Sequence, residues 1–115
     1  MINAVRAEHG LRPIRVVPCL DALSESWGAR MATEGLWRHR DMSAVVRACR
    51  LTWTGETLAR GQFTPEDLVG MWMDSPPHRA ILLTGRARLA GIDARAPAAT
   101  TPPSSTWVTD ADLMV

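Results

Sequence analysis

Several features that define large functional classes are missing from this sequence. No apolar run approaches the roughly 20 residues that a transmembrane helix needs, and the polar start MINAVRAEHG lacks the form of a secretory signal peptide. The chain also has no GxSxG motif, no phosphate-binding glycine loop and no CxxC pair. A serine hydrolase, a nucleotide enzyme and a thioredoxin-like protein therefore each lack a part that their chemistry requires.

Charge of either sign is also not in excess. The 115 residues carry 13 basic and 12 acidic side chains, and all of the basic ones are arginine. A net charge of +1 gives no basic face for a nucleic acid and no polybasic membrane signal, so we expect no nucleic-acid partner. The length predicts one domain over residues 1–115, which we expect to be a monomer.

Helical periodicity marks the first half of the chain. The start, Ile2 to His9, has the pattern of the last turns of a helix that Gly10 ends, and its abrupt beginning suggests that the domain is N-terminally truncated. From Cys19 to Leu36, apolar residues recur every three or four positions, which predicts the main core helix with Gly35 as its C-cap. A shorter helix is predicted from Met42 to Cys49.

The stretch from Thr64 to Arg79, TPEDLVGMWMDSPPHR, specifies its local structure most fully. Thr64 is a suitable N-cap, Pro65 suits the first helical position, and two acidic residues follow at the positive end of the helix dipole. The Ser-Pro-Pro sequence then ends this helix. We expect Ser75 to cap a second helix from His78 to Leu83, so that the histidine lies in its first turn.

The C-terminal part predicts two strands. They run from Leu89 to Ala96 and from Thr106 to Asp112, and a segment rich in proline and small polar residues lies between them. Such a segment is typical of a hairpin loop.

The two cysteines, Cys19 and Cys49, are compatible either with one disulfide or with two buried thiols. A disulfide that closes a loop of this length would stabilise the fold by roughly 3 to 4 kcal/mol in the chain-entropy model. Both states remain open at this stage.

Three side chains are candidates for a functional site. His39, Glu56 and His78 lie next to turn residues at the ends of predicted elements, where a rigid scaffold commonly presents functional groups. Two histidines and a carboxylate suit either a divalent cation with an open position for water or a metal-free hydrogen-bonded cluster. Their spacings match no local metal motif such as HExxH, so the residues alone leave both interpretations open.

Six motifs occur in a recognisable order along the chain. They are the N-x-x-R of Asn3 and Arg6, LRPIRVVPCL, LWRH ending at His39, GETLARG, TPEDLVGMWMDSPPHRAIL and STWVTD. Their order and spacing resemble the CAP superfamily of cysteine-rich secretory, antigen 5 and pathogenesis-related proteins, and most closely its bacterial extracellular SCP-like branch. This resemblance spans nearly the whole chain and implies a secreted or cell-envelope protein.

The resemblance implies an α+β fold, namely an α-β-α sandwich with a small antiparallel sheet between helical layers, and a cleft lined by polar residues. His39 matches the family's first histidine, Glu56 its first glutamate and His78 its second histidine. In animal and plant members these histidines can hold a divalent cation, often zinc. The resemblance therefore implies that His39 and His78 are candidate ligands for Zn²⁺ or another divalent cation.

The chain departs from the family pattern both near His78 and next to Glu56. Ser75 stands where a second glutamate would be, which removes a candidate general base or supporting carboxylate. Thr57 replaces the usual asparagine after the glutamate, and both changes weaken an enzymatic interpretation. Trp72 and Arg79 belong to the same motif as Ser75, and we expect all three to support the cleft.

Three functions follow as hypotheses. The first is a binding module whose cleft takes a small apolar or amphipathic ligand, with or without a divalent metal. The second is a metal-dependent hydrolase of protease type, in which zinc on His39 and His78 activates a water and Glu56 accepts its proton. The third is a purely structural polar cluster, with function through a protein partner. We favour the first and lean against an enzyme, because two protein ligands underfill a catalytic zinc site.

Overall fold

The computed structural model describes residues 1–95 and the backbone of residues 108–114. Its elements, in chain order, are α1 (Ile2–Glu8), β1 (Arg15–Val16), α2 (Pro18–Glu34), α3 (Met42–Cys49), β2 (Glu56–Phe63), α4 (Pro65–Asp74), α5 (Pro76–Leu82), β3 (Leu89–Arg95) and β4 (Val108–Met114). Helices and a small sheet are thus combined in one chain, which confirms the expected α+β class. No helix in the described ranges is both long enough and apolar enough to cross a bilayer.

The sheet has four strands in the order β1-β3-β4-β2. The pair β3–β4 is antiparallel, as the predicted hairpin requires, and β2 also pairs antiparallel with β4; Gly91 and Glu56 are both aligned with Met114. The two-residue strand β1 adds a parallel edge to β3, which the sequence did not predict. The strand β2 was also not predicted, because its first four residues are all buried and do not alternate between apolar and polar types.

Helices cover both faces of the sheet. Successive residues of a strand point to opposite faces, and in β2 Leu58 packs with Trp27 of α2, whereas the next residue, Ala59, packs with Trp72 of α4 and Leu82 of α5. The helix α2 therefore covers one face, and α4 and α5 cover the other together with α1. This arrangement is the expected α-β-α sandwich.

The contact between α2 and β3 is unusually close. A Cβ atom added at Gly91 would lie 2.2 Å from the carbonyl carbon and oxygen of Leu20, and one added at Gly28 would lie 1.9 Å from Oδ2 of Asp93. Glycine at both positions lets the helix and the strand approach each other. The helix α2 ends at Gly35, whose left-handed φ of 67° confirms the predicted C-cap.

The N-x-x-R motif fastens α1 to the rest of the domain. The side-chain amide of Asn3 donates to the carbonyl oxygen of Ile14, and its Oδ1 accepts from the Ile14 N–H, both at 2.9 Å. Arg6 is completely buried, and no carboxylate accepts its hydrogen bonds in the described part of the chain. Its guanidinium donates to the carbonyl oxygens of Arg12, Leu82, Thr84 and Ala87.

The junction between α4 and α5 follows the sequence in part. Thr64 caps α4 as predicted, with its hydroxyl accepting from the N–H of Asp67 at 3.1 Å. The expected start of α5 at His78 is wrong, because the helix begins at Pro76, where the proline suits a first helical turn. Ser75 occupies the N-cap position, but its side chain makes no capping hydrogen bond.

The C-terminal strands differ slightly from their predicted bounds. The structure has β3 at Leu89–Arg95 and β4 at Val108–Met114, so the second strand ends two residues later than expected, and its predicted first two residues lie outside the described ones. The predicted hairpin loop lies outside the described residues.

Cys19 and Cys49 are joined by a disulfide, which links the first turn of α2 to the last turn of α3 and decides between the two states that the sequence left open.

Candidate functional site

His39 and Glu56 form one half of the predicted site. His39 follows the end of α2, and Glu56 is the first residue of β2. Nδ1 of His39 lies 2.9 Å from Oε1 of Glu56, and the backbone N–H of Arg40 donates to the same oxygen at 3.3 Å. The imidazole side chain is 56% exposed and the glutamate side chain only 1%. The buried Glu56 carboxylate thus orients the exposed His39 ring through this hydrogen bond.

The hydrogen bond to Glu56 fixes the tautomer of His39. A carboxylate only accepts hydrogen bonds, so Nδ1 of His39 carries the hydrogen and donates it to Glu56. Nε2 makes no hydrogen bond within residues 1–95 and keeps its lone pair in the neutral ring. Histidines that bind metals are commonly oriented in this way by a carboxylate on the second nitrogen.

His78 has a corresponding contact on α5. Its Nδ1 lies 2.8 Å from Oγ of Ser75, a hydrogen bond for which either atom can supply the hydrogen. Ser75 therefore orients the histidine instead of capping the helix that follows. When Nδ1 is the donor, Nε2 of His78 is available to a ligand, as it is in His39.

The structure brings the predicted residues together as two pairs. His39 contacts Glu56 and His78 contacts Ser75, and no hydrogen bond within the described residues links one pair to the other. The whole described part of the chain contains no group of three or more histidine, cysteine or acidic side chains that could hold a metal ion. The described residues alone therefore form no metal site with three or more such ligands.

The two remaining predicted support residues have different surroundings. Trp72 is 2% exposed, and its Nε1–H donates to the carbonyl oxygen of Leu58 at 3.2 Å. It therefore supports β2, the strand that begins with Glu56, from the α4 side. Arg79 is exposed and donates to Nε2 of His9 at 3.1 Å, so its guanidinium is directed toward α1.

An apolar groove lies between α1 and α4 and was not predicted from the sequence. It holds about 420 Å³. Its lining is mostly aliphatic, with carboxylates and a histidine among the other lining residues; these residues are Met1, Ala4, Val5, Glu8, His9, Glu66, Val69, Gly70 and Met73. At Gly70, which lines the groove, an added Cβ would meet no atom within 4 Å, so this part of α4 is bare.

The fold agrees with the comparison to known families. The family described as "CAP: Cysteine-rich secretory protein family" matches residues 1–99 of the chain. The chain therefore belongs to the cysteine-rich secretory protein family, which confirms the resemblance seen in the motifs.

A curated relative is a bacterial protein. The uncharacterized protein YkwD of Bacillus subtilis (strain 168) is 27% identical over 99 residues, which cover 80% of this chain and 38% of YkwD. The chain thus spans well under half the length of that relative.

Solved structures with the same fold come from other bacteria. An outer surface protein from Borrelia burgdorferi matches with a TM-score of 0.77 at 16% identity, covering 98% of this chain and 84% of that protein. A cysteine-rich secretory protein from Staphylococcus aureus Mu50 matches with a TM-score of 0.72 at 20% identity, covering 98% and 34%. An extracellular protein with an SCP domain from Bacillus anthracis Ames matches with a TM-score of 0.69 at 13% identity, covering 99% and 37%. These likenesses establish the fold.

Proposed function

We propose that this chain is a secreted or cell-envelope binding module for a small apolar or amphipathic ligand, and that the apolar part of the ligand lies between α1 and α4. The α1–α4 groove is the observation that carries the proposal. Its volume of about 420 Å³ lies in the range of roughly 300 to 1,000 Å³ that is usual for small-molecule sites. The words "secretory", "extracellular" and "outer surface" in the descriptions of the related proteins support the location.

The rim of the groove indicates which polar end a ligand would carry. Glu8 and Glu66 line it, and both side chains are exposed. Carboxylates accept hydrogen bonds and repel anions. We therefore expect a hydroxyl or amine end group to be preferred over a carboxylate.

Filling the groove tests the proposal directly. Gly70 lies within α4 and lines the groove, and a Cβ added there meets no atom within 4 Å, so Gly70→Leu adds an apolar side chain at the edge of the groove without a clash at Cβ. We expect the affinity for N-phenyl-1-naphthylamine, a neutral fluorescent apolar probe, to fall by about tenfold or more, because the side chain occupies a volume that the ligand needs. The fold should persist, since leucine favours a helix more than glycine does.

The matched control is Ala32→Leu, which adds an apolar side chain at an exposed position of α2. This variant should bind the probe like the wild type. Equal probe affinity in Gly70→Leu and the wild type would show that the groove is not the site. Competition with a straight-chain alcohol, amine and carboxylate of equal length then tests which end group the groove prefers. We expect the alcohol and the amine to displace the probe better than the carboxylate does.

A divalent cation on His39 and His78 is a second candidate. Two hydrogen bonds favour it. The bond from Nδ1 of His39 to Glu56 leaves Nε2 of His39 available, and the bond between His78 and Ser75 does the same for His78 when Nδ1 is the donor. The donor set fits a loosely held cation better than a catalytic zinc, which usually has three protein ligands. A bound cation would supply Lewis acidity, while Glu56 would hold the His39 ring in its ligating tautomer.

Calorimetric titration with zinc separates metal binding from a structural role. If the cation is bound as proposed, His39→Ala and His78→Ala each lower zinc affinity while the fold survives. If zinc affinity is unchanged and only stability falls, the polar pairs are structural and function through a protein partner becomes the better explanation.

The hydrolase hypothesis receives less support from the geometry. Its base would be Glu56, whose side chain is 1% exposed and whose Oε1 already accepts from His39 and Arg40. A general base must lie within hydrogen-bond reach of the water it activates. Glu56 is better placed to orient His39 than to receive a proton from such a water.

A further inference from the structure

A second pocket lies where the loop before β3 meets the segment after α3. It holds about 170 Å³, and Leu20, Leu51 and Leu89 form its apolar lining. An apolar cavity of about 150 Å³ is large enough to take up benzene. This pocket therefore has room for the apolar part of a ligand the size of one aromatic ring.

Two arginines and a tryptophan also line this pocket. The guanidinium of Arg86 lies over the ring of Trp53, with its central carbon 4.8 Å from the ring centroid. This stacking restricts the arginine side chain while leaving its N–H groups free to bind a ligand. Arg86 makes no hydrogen bond or ion pair in the described part of the chain.

Arg88 is held in a defined orientation by the backbone. One terminal nitrogen, Nη1, donates to the carbonyl oxygens of Gly85 at 2.6 Å and Ala87 at 2.8 Å. A guanidinium has five N–H donors in a rigid plane, so the opposite edge of Arg88 keeps donors for another acceptor. The structure gives Arg88 no carboxylate partner among the described residues.

No carboxylate in the described part of the chain therefore pairs with the arginines that line this pocket. Arg6 is buried nearby and bonds only to carbonyl oxygens within the described residues. Burial lowers the pKa of Arg6, and the positive charge of Arg88 lowers it further. Three guanidinium groups lie around one loop, and a bound anion would offset their repulsion.

We propose that this pocket, lined by Trp53, Arg86, Arg88 and three leucines, binds a small monocarboxylate with an apolar body. The carboxylate is held by Arg86 and Arg88, and the body contacts the leucines. The acidic rim of the α1–α4 groove favours the opposite charge, so the two sites select different ligands and the proposal does not depend on the function of that groove.

Titration with benzoate, followed by amide ¹H–¹⁵N NMR, tests the proposal. We expect saturable shifts that are centred on residues 51–53 and 85–89. Benzamide, which has the same shape without the charge, should bind about tenfold more weakly or worse, because charge-assisted hydrogen bonds are roughly twice as strong as neutral ones. Inorganic phosphate should also bind more weakly, since it has no apolar body.

Three variants sharpen the test. Arg86→Gln and Arg88→Gln should each weaken benzoate about tenfold, whereas Arg38→Gln, which removes an exposed charge elsewhere, should leave the affinity unchanged. Well-dispersed spectra of each variant establish that it is folded.

Four outcomes would overturn the proposal. They are shifts that do not saturate, shifts spread over the whole surface, equal affinity for benzamide or phosphate, and equal weakening by Arg38→Gln. The last would mean that benzoate responds only to net charge.

Discussion

The two helical layers of the domain use glycine in opposite ways. Where α2 covers the sheet, Gly91 and Gly28 have no room for a Cβ, because helix and strand are in direct contact. On the outer side of α4, in the other layer, Gly70 faces open space beside the α1–α4 groove. The α2 side is therefore a closely packed scaffold, which we call the closed face, and the outer side of α4 keeps a bare surface on which a ligand can lie.

The disulfide gives the largest effect expected on the closed face. Replacing both Cys19 and Cys49 by serine should lower the free energy of unfolding by roughly 3 to 4 kcal/mol, because the unfolded chain regains the freedom of the loop that the disulfide closed. The sequence separation of 30 residues sets this size. Urea denaturation of the double variant measures it, and dithiothreitol should destabilise only the wild type.

The Gly91→Ala substitution tests the contact between α2 and β3. The added methyl would lie 2.2 Å from the Leu20 backbone, so helix and strand must separate, and we expect a loss of about 2 to 3 kcal/mol in unfolding free energy. Gly85→Ala is the matched control, because its Cβ would meet only a Leu11 methyl at 3.9 Å. Equal stability of the two variants would mean that the closed face can adjust.

The parts of the fold that were predicted correctly depend on local sequence. The cap at Thr64 and the left-handed residue at Gly35 each need only a few neighbouring residues, so the sequence predicts them well. The strand β2 was missed because its burial depends on helices from both sides of the sheet.

The candidate site was likewise predicted only as far as local sequence motifs reach. The motifs identified His39, Glu56 and His78, and the structure adds what each ring contacts. The role of Ser75 could not be read from the sequence, because capping α5 and orienting His78 compete for one hydroxyl. The groove and the arginine-lined pocket were missed because each is formed by residues far apart in the chain.

The two histidines should differ in their contribution to stability. Among the described residues, His39→Ala leaves the buried Glu56 with the Arg40 N–H as its one hydrogen-bond donor. Hydrogen bonds to charged groups contribute roughly 1.5 to 3 kcal/mol, so we expect a loss near the lower value. His78→Ala removes a hydrogen bond to a neutral hydroxyl and should cost about 1 kcal/mol or less. Both unfolding free energies are measured with a chelator present, so that metal binding does not contribute. A larger loss for His78→Ala would reverse this assignment.

The smallest change in unfolding free energy is expected for Gly70→Ala on the outer side of α4, and it is a gain in stability where the other variants lose it. Gly70→Ala adds a methyl that meets nothing within 4 Å, and alanine restricts the unfolded chain more than glycine does. We therefore expect the free energy of unfolding to rise by about 0.5 to 1 kcal/mol, measured by urea denaturation beside Gly91→Ala. A small methyl leaves most of the groove open, so probe binding should change far less than in Gly70→Leu. Greater stability in Gly70→Ala would indicate that α4 keeps a glycine there at a cost to its helix, as expected if the bare surface serves ligand binding. A loss of stability would show that this part of α4 has a packing role. It would then remove that reason for assigning a ligand to the groove.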